Sequence, residues 1–203
     1  MTEEINACLQ VLRKGGILLY PTDTVWGLGC DATNPEAVAR IYEIKKRSDT
    51  KSLVLLASDM DMVARYVKEI PEMAIQLVAV NDAPMTIIYP DAIAGDAPTE
   101  SRPAVADRHC LAYNAVAEDG TVGIRVPMMD FCLRLVHGFG RPIVSTSANI
   151  SGEATPRKFD EISSEIISSA DHVVDRAFEK DATGKASSII KLGLDYSVEI
   201  IRK

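Results

Sequence analysis

Apolar residues recur along the chain with two periods, near 3.6 and near 2, and the switches between them predict interleaved helices and strands. Residues 5 to 13 carry Ile5, Leu9 and Leu12 on one stripe and stop at Gly15-Gly16, which predicts a helix. The run ILLYP, 17 to 21, is apolar throughout, as a buried strand is. TDTVWGLGCDATN reads as a glycine-punctuated turn, and Asn34-Pro35-Glu36 starts a helix with proline at its first position. Val38, Ile41, Tyr42 and Lys45 share a face of that helix. SLVLLA, 52 to 57, predicts a strand, and Ser58 with Asp61 predicts a capping box for a helix bearing Met62, Val63, Tyr66 and Val67. A second helix is expected from Pro71 to Val80. MTIIY, 85 to 89, and TVGIRVP, 121 to 127, are strands, with a helix from Phe131 to Phe139. RPIVSTSANISG is a strand running into a polar turn. Residues 158 to 169 predict a helix, followed by short strands in HVVD, SSIIKL and SVEIIR. Residues 90 to 103, with three prolines, read as a mobile surface loop; residues 104 to 118 show no clear period.

The result is an α/β chain in which one mixed sheet carries helices, read as a single domain over residues 1 to 203. The strand-rich last third argues against a uniform βαβ repeat.

Charge changes the picture in one place. The chain has a net charge of −7, which opposes broad nucleic-acid binding, since that needs many phosphate-neutralising cations. Yet KKRSDTK, 45 to 51, puts four basic side chains into seven positions. Such a cluster is either a solvated helix end, favoured by the helix dipole, or an anion site. Cys8, Cys30, Cys110 and Cys132 form no C-x-x-C pair, and His109 and His137 make no metal-ligand spacing with them. That speaks against a metal site and fits a reducing, cytoplasmic setting. The N-terminus reads as an amphipathic opening, not a signal peptide, and no apolar run is long enough to span a membrane.

Chemistry concentrates at three junctions. Thr22-Asp23-Thr24 follows the first strand beside Gly27 and Gly29, and its groups either bind a small polar ligand or cap the turn. Ser145-Thr146-Ser147-Ala148-Asn149 ends a buried strand in consecutive hydroxyls and an amide, more than a plain turn uses, which favours an anion or ribose. Arg125 opposes Ile124 and Val126 across its strand, so its guanidinium needs a buried partner, either a structural carboxylate or a ligand anion. A lone Trp26 is read as core. There is no G-x-x-x-x-G-K-[ST] loop, no G-x-G-x-x-G opening a helix and no G-x-S-x-G elbow.

Taken in order, YPTDTVWGLGCDA, KKRSDTKSL, VGIRVP and PIVSTSANISG resemble the YrdC/Sua5 family of threonylcarbamoyl-AMP synthases in its short, single-domain form, over about residues 11 to 202. The resemblance implies a twisted sheet lining a deep basic cavity. It implies formation of threonylcarbamoyl-AMP and pyrophosphate from L-threonine, bicarbonate and ATP, with Mg2+ accompanying ATP and no dedicated protein site for it. The product would pass to a complex that modifies tRNA to t6A, with tRNA itself bound weakly at most. By the family's K-x-R pattern, Lys45 and Arg47, followed by Lys51, would hold the triphosphate and carry catalysis. Ser147 and Asn149, with Ser145 nearby, would contact the nucleotide, as would Arg202, and Thr121 and Gly123 would flank the adenylate. Thr24, Arg125 and Ser187 would hold threonine.

The sequence departs from the family at Asp82-Ala83-Pro84-Met85-Thr86, at Ser48 and Ser52, and at Trp26, where tyrosine is common. Residues 90 to 118 match poorly. The competing readings are an RNA-binding module and a non-catalytic paralogue of the same fold.

Overall fold

The structure is a computed structural model that describes residues 1–47 and 53–203. Helix α1 spans Thr2–Arg13 and buries Ile5, Cys8, Leu9 and Leu12 along one stripe. Strands β1 (Leu18–Pro21) and β2 (Trp26–Gly29) form an antiparallel hairpin in which Tyr20 faces Gly27 and Leu18 faces Gly29. Helix α2 (Pro35–Ile44) begins where the Asn34 side chain accepts from the backbone N–H groups of Glu36 and Ala37. Next come β3 (Val54–Leu56), α3 (Met60–Ala64), α4 (Glu72–Val80), β4 (Met85–Tyr89) and β5 (Val122–Arg125). After them run α5 (Asp130–Phe139), β6 (Ile143–Val144), β7 (Thr146–Ser147) and α6 (Ser164–Ser169). The last three strands are β8 (His172–Val173), β9 (Ser188–Leu192) and β10 (Val198–Arg202).

The mixed α/β architecture expected from the sequence is present, but the strands divide between two sheets. One has the order β7-β2-β1-β8 and the other β10-β9-β4-β5-β3-β6. Both mix directions: β1 with β8, β3 with β5 and β4 with β9 are parallel, and their other pairings are antiparallel. The chain crosses from one sheet to the other at Ser145. Its N–H donates to the Val54 carbonyl at 2.8 Å, while the next residue, Thr146, already pairs with Leu28.

Strand β2 lies inside the stretch read as a turn. Its glycines hide it from a pattern search, yet close packing requires them. A Cβ on Gly29 would sit 2.5 Å from the Tyr20 ring and 2.7 Å from the Val144 carbonyl; one on Gly27 would sit 3.2 Å from the Thr146 carbonyl. Two caps also differ from expectation. Asp59, not Ser58, caps α3, its carboxylate accepting from the Met62 N–H at 2.7 Å while the Ser58 hydroxyl donates to the other carboxylate oxygen. The helix expected over 158 to 169 divides into a 3-10 turn at Phe159–Glu161 and α6, because Ser163 is extended and its hydroxyl caps a new start. Within residues 104 to 118, without period in the sequence, Asn114 is held by long-range bonds: the Tyr42 hydroxyl donates to its carbonyl at 2.9 Å and its amide donates to the Pro35 carbonyl at 3.0 Å.

Candidate active site

A cavity of about 190 Å3 opens between the two sheets. One side is the β1–β2 hairpin and β7, with Thr22, Thr24, Trp26, Ser145 and Ser147; the other is β3, β5, β9 and β10, with Val54, Arg125, Ser187 and Arg202. Arg47 stands at its edge. A larger depression of about 830 Å3 lies between Arg157–Lys158 and Ala182–Lys185, but its side chains are mostly exposed and include the Arg176–Asp160 ion pair at 3.0 Å. Buried polar groups converge on the smaller cavity, and that marks it as the functional candidate.

On the hairpin side the protons can be assigned. The Thr22 hydroxyl donates to the Val25 carbonyl at 2.7 Å, so it must accept from the Thr24 hydroxyl at 2.8 Å and from the Thr24 N–H at 3.2 Å. Thr24 in turn accepts from Arg125 Nη2 at 3.3 Å. Arg125 Nη1 donates to Asp23 Oδ1, and the second oxygen of Asp23 accepts from the Met128 N–H at 3.0 Å. Arg125 and Asp23 are almost fully buried, 3% and 4% exposed. Of the two partners the sequence left open for Arg125, the structural carboxylate is therefore present. Its Nε–H remains buried with no protein partner, a cost that a buried donor bears until it is met.

Across the cavity the Ser187 and Thr86 hydroxyls lie 2.8 Å apart. Arg202 donates through Nε to the Ser187 carbonyl at 2.8 Å and through Nη2 to its hydroxyl at 3.4 Å. Burial, and then the Arg125 charge, lower the Arg202 pKa from its ordinary value. No lysine- or arginine-neutralising carboxylate lines the cavity among the described residues; Asp23 stands behind Arg125.

The third wall is fastened by Lys45. Its ammonium donates to the Ser147 carbonyl at 2.5 Å and the Asn149 carbonyl at 2.7 Å, with Asn149 Oδ1 at 3.5 Å. The Asn149 amide donates to the carbonyls of Ile150 and Glu153, at 3.1 and 2.8 Å. Ser151 N–H donates back to the Lys45 carbonyl at 2.9 Å. Burial, then the neighbouring Arg47 charge, lowers the Lys45 pKa to about 8. Beyond Lys45 the chain reverses. Lys46 takes φ +49, Arg47 N–H donates to the Tyr42 carbonyl at 3.0 Å and Lys46 N–H to that of Glu43 at 3.0 Å, which is a Schellman ending. That reversal brings Arg47 to the cavity.

Thr24, Arg47, Arg125, Ser145, Ser147, Ser187 and Arg202, all expected from the sequence, thus share one cavity. Lys45 and Asn149 do not line it; they hold its wall from behind. Thr121 and Gly123 lie apart from it. The Thr121 hydroxyl donates to Asp119 at 2.6 Å, and with Lys191 it draws the Asp119 carboxyl down to about 2. Gly123 sits within the six-stranded sheet between Val54 and Ile88. Lys51 lies outside the described residues. Trp26 is fully buried, as a core residue would be, and packs on Phe159 at 5.0 Å between ring centroids, yet it also lines the cavity.

The Sua5/YciO/YrdC family profile, described as "Telomere recombination", matches residues 10–203. The chain belongs to this family. Among its relatives, the threonylcarbamoyl-AMP synthase of Hahella chejuensis is 34% identical over 146 residues, 71% of each chain. Sua5 of P. abyssi, solved with L-threonine, superposes with a TM-score of 0.72 at 27% identity, covering 93% of this chain and 50% of its own. The chain thus spans about half the length of that Sua5. YciO of E. coli shares the fold, with a TM-score of 0.75 at 23% identity, covering all of this chain and 90% of its own.

Two participants escaped the sequence reading of this Sua5/YciO/YrdC chain. By itself Asp23 reads as part of a polar turn, although a carboxylate between two threonines, in a chain with a lone arginine inside an apolar strand, is a signal for the pair. Thr86, which supports Ser187, carries no local signal, since 101 residues separate the two.

Proposed function

We infer that this Sua5/YciO/YrdC protein is a threonylcarbamoyl-AMP synthase. L-threonine and bicarbonate condense to N-carboxythreonine with loss of water; a carbamate oxygen then attacks the α-phosphorus of ATP, and pyrophosphate leaves. The observation that carries this reading is the convergence of three guanidinium groups, those of Arg47, Arg125 and Arg202, on a hydroxyl-rimmed cavity in a chain of net charge −7. The Arg125 charge lowers the Arg202 pKa, so an anion between the two guanidinium groups relieves their repulsion, and every participant in this reaction is anionic or carries a carboxylate.

The division of labour follows from placement. An enclosed volume of about 190 Å3 suits an amino acid rather than a whole nucleotide, since drug-sized ligands fill about 300–1,000 Å3. Threonine therefore lies between Thr24, Arg125, Ser187 and Arg202, where fixed hydrogen bonds orient it. ATP enters from the side of Arg47 and the Ser145–Ser147 edge. Arg47 offsets the charge that builds on the phosphates as pyrophosphate departs, and positioning with electrostatic stabilisation accounts for the acceleration. Lys45 acts as a positioning group, fastening the Ser147–Asn149 turn. The cavity's described donors do not fit a protein-held Mg2+, for no carboxylate faces it and Asp23 is committed to Arg125 and Met128. Mg2+ accompanies the phosphates of ATP as part of the substrate. The product, a mixed anhydride, is consumed by a separate complex that transfers the threonylcarbamoyl group to tRNA.

The reaction is tested by following pyrophosphate while omitting each co-substrate in turn and weighing the nucleotide product. Release that requires both L-threonine and bicarbonate, with the mass of threonylcarbamoyl-AMP, is expected. Release indifferent to threonine, or AMP as the sole nucleotide product, would overturn the assignment.

A further inference from the structure

Far from the cavity in sequence, α1 and β8 bring together a carboxylate, a thiol and an imidazole. Glu4 and Cys8 stand four residues apart on α1 and so share a face. His172 comes from β8, which pairs in parallel with β1 opposite Leu18. One ligand atom from each of the three lies within 4.8 Å of the others, and His172 Nε2 is 2.7 Å from Glu4 Oε1. We propose that Glu4, Cys8 and His172 form a binding site for a thiophilic divalent cation of the Zn2+ type, with solvent completing its coordination.

The donor set selects the class. Thiolate sulfur, imidazole nitrogen and a carboxylate oxygen are the three ligand types of tetrahedral Zn2+, at about 2.0–2.3 Å. Mg2+ and Ca2+ take oxygen ligands and would leave the thiol unused. The existing atoms need to move only modestly to reach such a polyhedron, the Glu4–His172 pair opening from 2.7 Å, because ligand atoms of a tetrahedral site lie roughly 3.3–3.6 Å apart at those bond lengths. Access is provided on one side. Cys8 is fully buried, while the Glu4 and His172 side chains keep 21% and 27% of their surface exposed. A cation would therefore reach the thiol past the two outer ligands and keep an open position toward solvent.

The framework around the site is held independently of any cation. Asp171, beside His172, accepts from the Ile17 N–H at 2.7 Å and pairs with Arg40 at 3.0 Å, which fixes the start of β8. Cys8 is buried, and the hydrogen bond between Glu4 and His172 leaves its S–H unused. A dication replaces that proton and turns an idle thiol into a ligand. The linkage joins residues more than 160 positions apart and ties a two-residue edge strand to the first helix.

The test uses the full chain, stripped of metal with a chelator and titrated with Co2+. Expected is one equivalent of Co2+ bound per chain, with an intense near-ultraviolet thiolate-to-cobalt band that Zn2+ abolishes by displacement. Cys8→Ser should remove the band, and Cys110→Ser, at a cysteine outside the cluster, should leave it. His172→Gln, at a partly exposed position that should not compromise folding, should weaken Zn2+ binding by at least about tenfold, since outer-sphere changes alone cost that much. Absence of the thiolate band from the unmodified protein would overturn the proposal. So would a band that survives Cys8→Ser, or Zn2+ affinity unmoved in His172→Gln.

Discussion

Two walls of the same cavity use similar residues in opposite ways. On the hairpin wall, the cation Arg125 faces the cavity, and the polar groups behind it, Asp23, Thr24 and Thr22, are arranged to support it. On the turn wall, the cation Lys45 is turned inward and spent on backbone carbonyls, so that the Ser147–Asn149 backbone keeps its shape. Each wall holds one buried cation, several hydroxyls and one carboxylate or carboxamide. The difference lies in which group is left with capacity to spare. Arg125 retains a donor with no protein partner, whereas Lys45 has an acceptor for each of its three protons. A charge counted in a sequence is therefore not yet a charge offered to a ligand.

The sharpest way to break this comparison is to remove the hairpin cation. Arg125→Ala strands the Asp23 carboxylate in a buried setting, and loss of one partner of such a pair costs about 3–5 kcal/mol. Chemical denaturation should show that loss. The double variant with Asp23→Asn should recover part of the stability but none of the threonine-dependent turnover. If the double variant is active, Arg125 is structural only and the two walls are alike.

Removing the turn cation should cost less. Lys45→Met leaves two backbone carbonyls without their donor, about 1–3 kcal/mol by the usual penalty for an unmet buried group. Because Lys45 fastens the wall on which the proposed function seats ATP, KM for ATP should rise while the affinity for L-threonine measured without ATP stays near that of the parent. A fall in threonine affinity as large as that for ATP would erase the distinction between the walls. Asn149→Ala should be milder, about 1 kcal/mol, since its amide donates to carbonyls in a partly exposed turn.

The smallest effect is a titration. Lys45 is lowered from 10.5 to about 8, so between those values the unfolded chain binds the proton that the folded chain has released. Stability from this group therefore rises as pH increases from about 8 to 10.5 and is level below about 8. NMR of the labelled lysine Cε should place the midpoint near 8, and the slope of stability against pH in that window should flatten in Lys45→Met. A midpoint near 10.5 would mean that the three acceptors hold the ammonium charged against its burial.

How much of this was legible in the sequence depends on range. The α2 start at Asn34-Pro35, the β1 run and the strand bearing Arg125 rest on local periods and caps, and the sequence carries those plainly. Strand β2 does not announce itself, because Gly27 and Gly29 are there for the approach of Tyr20, Ser145 and Val144, neighbours supplied by β1 and by the distant β6–β7 segment. The division into two sheets turns on the backbone of Ser145, which changes partner between one residue and the next. The same limit applies at the site. The sequence motifs marked Arg47, Arg125, Ser147 and Ser187 as residues of one cavity, but the direction of Lys45 is set by carbonyls more than a hundred residues away. The grouping of Glu4 and Cys8 with His172 spans nearly the whole chain, and no spacing rule reaches that far.

The most direct test of the central claim is calorimetric titration of L-threonine into the parent protein and into Arg125→Lys. Lysine keeps a positive charge beside Asp23 but loses the guanidinium fork and its Nε–H donor. If the cavity between the sheets holds threonine through Arg125, the parent binds one threonine per chain. The variant, folded by its melting curve, then binds at least roughly tenfold more weakly, as expected for a lost charge-assisted hydrogen bond of about 1.5–3 kcal/mol. Equal affinity in the two proteins would contradict the account and leave Arg125 as no more than the counter-ion of Asp23.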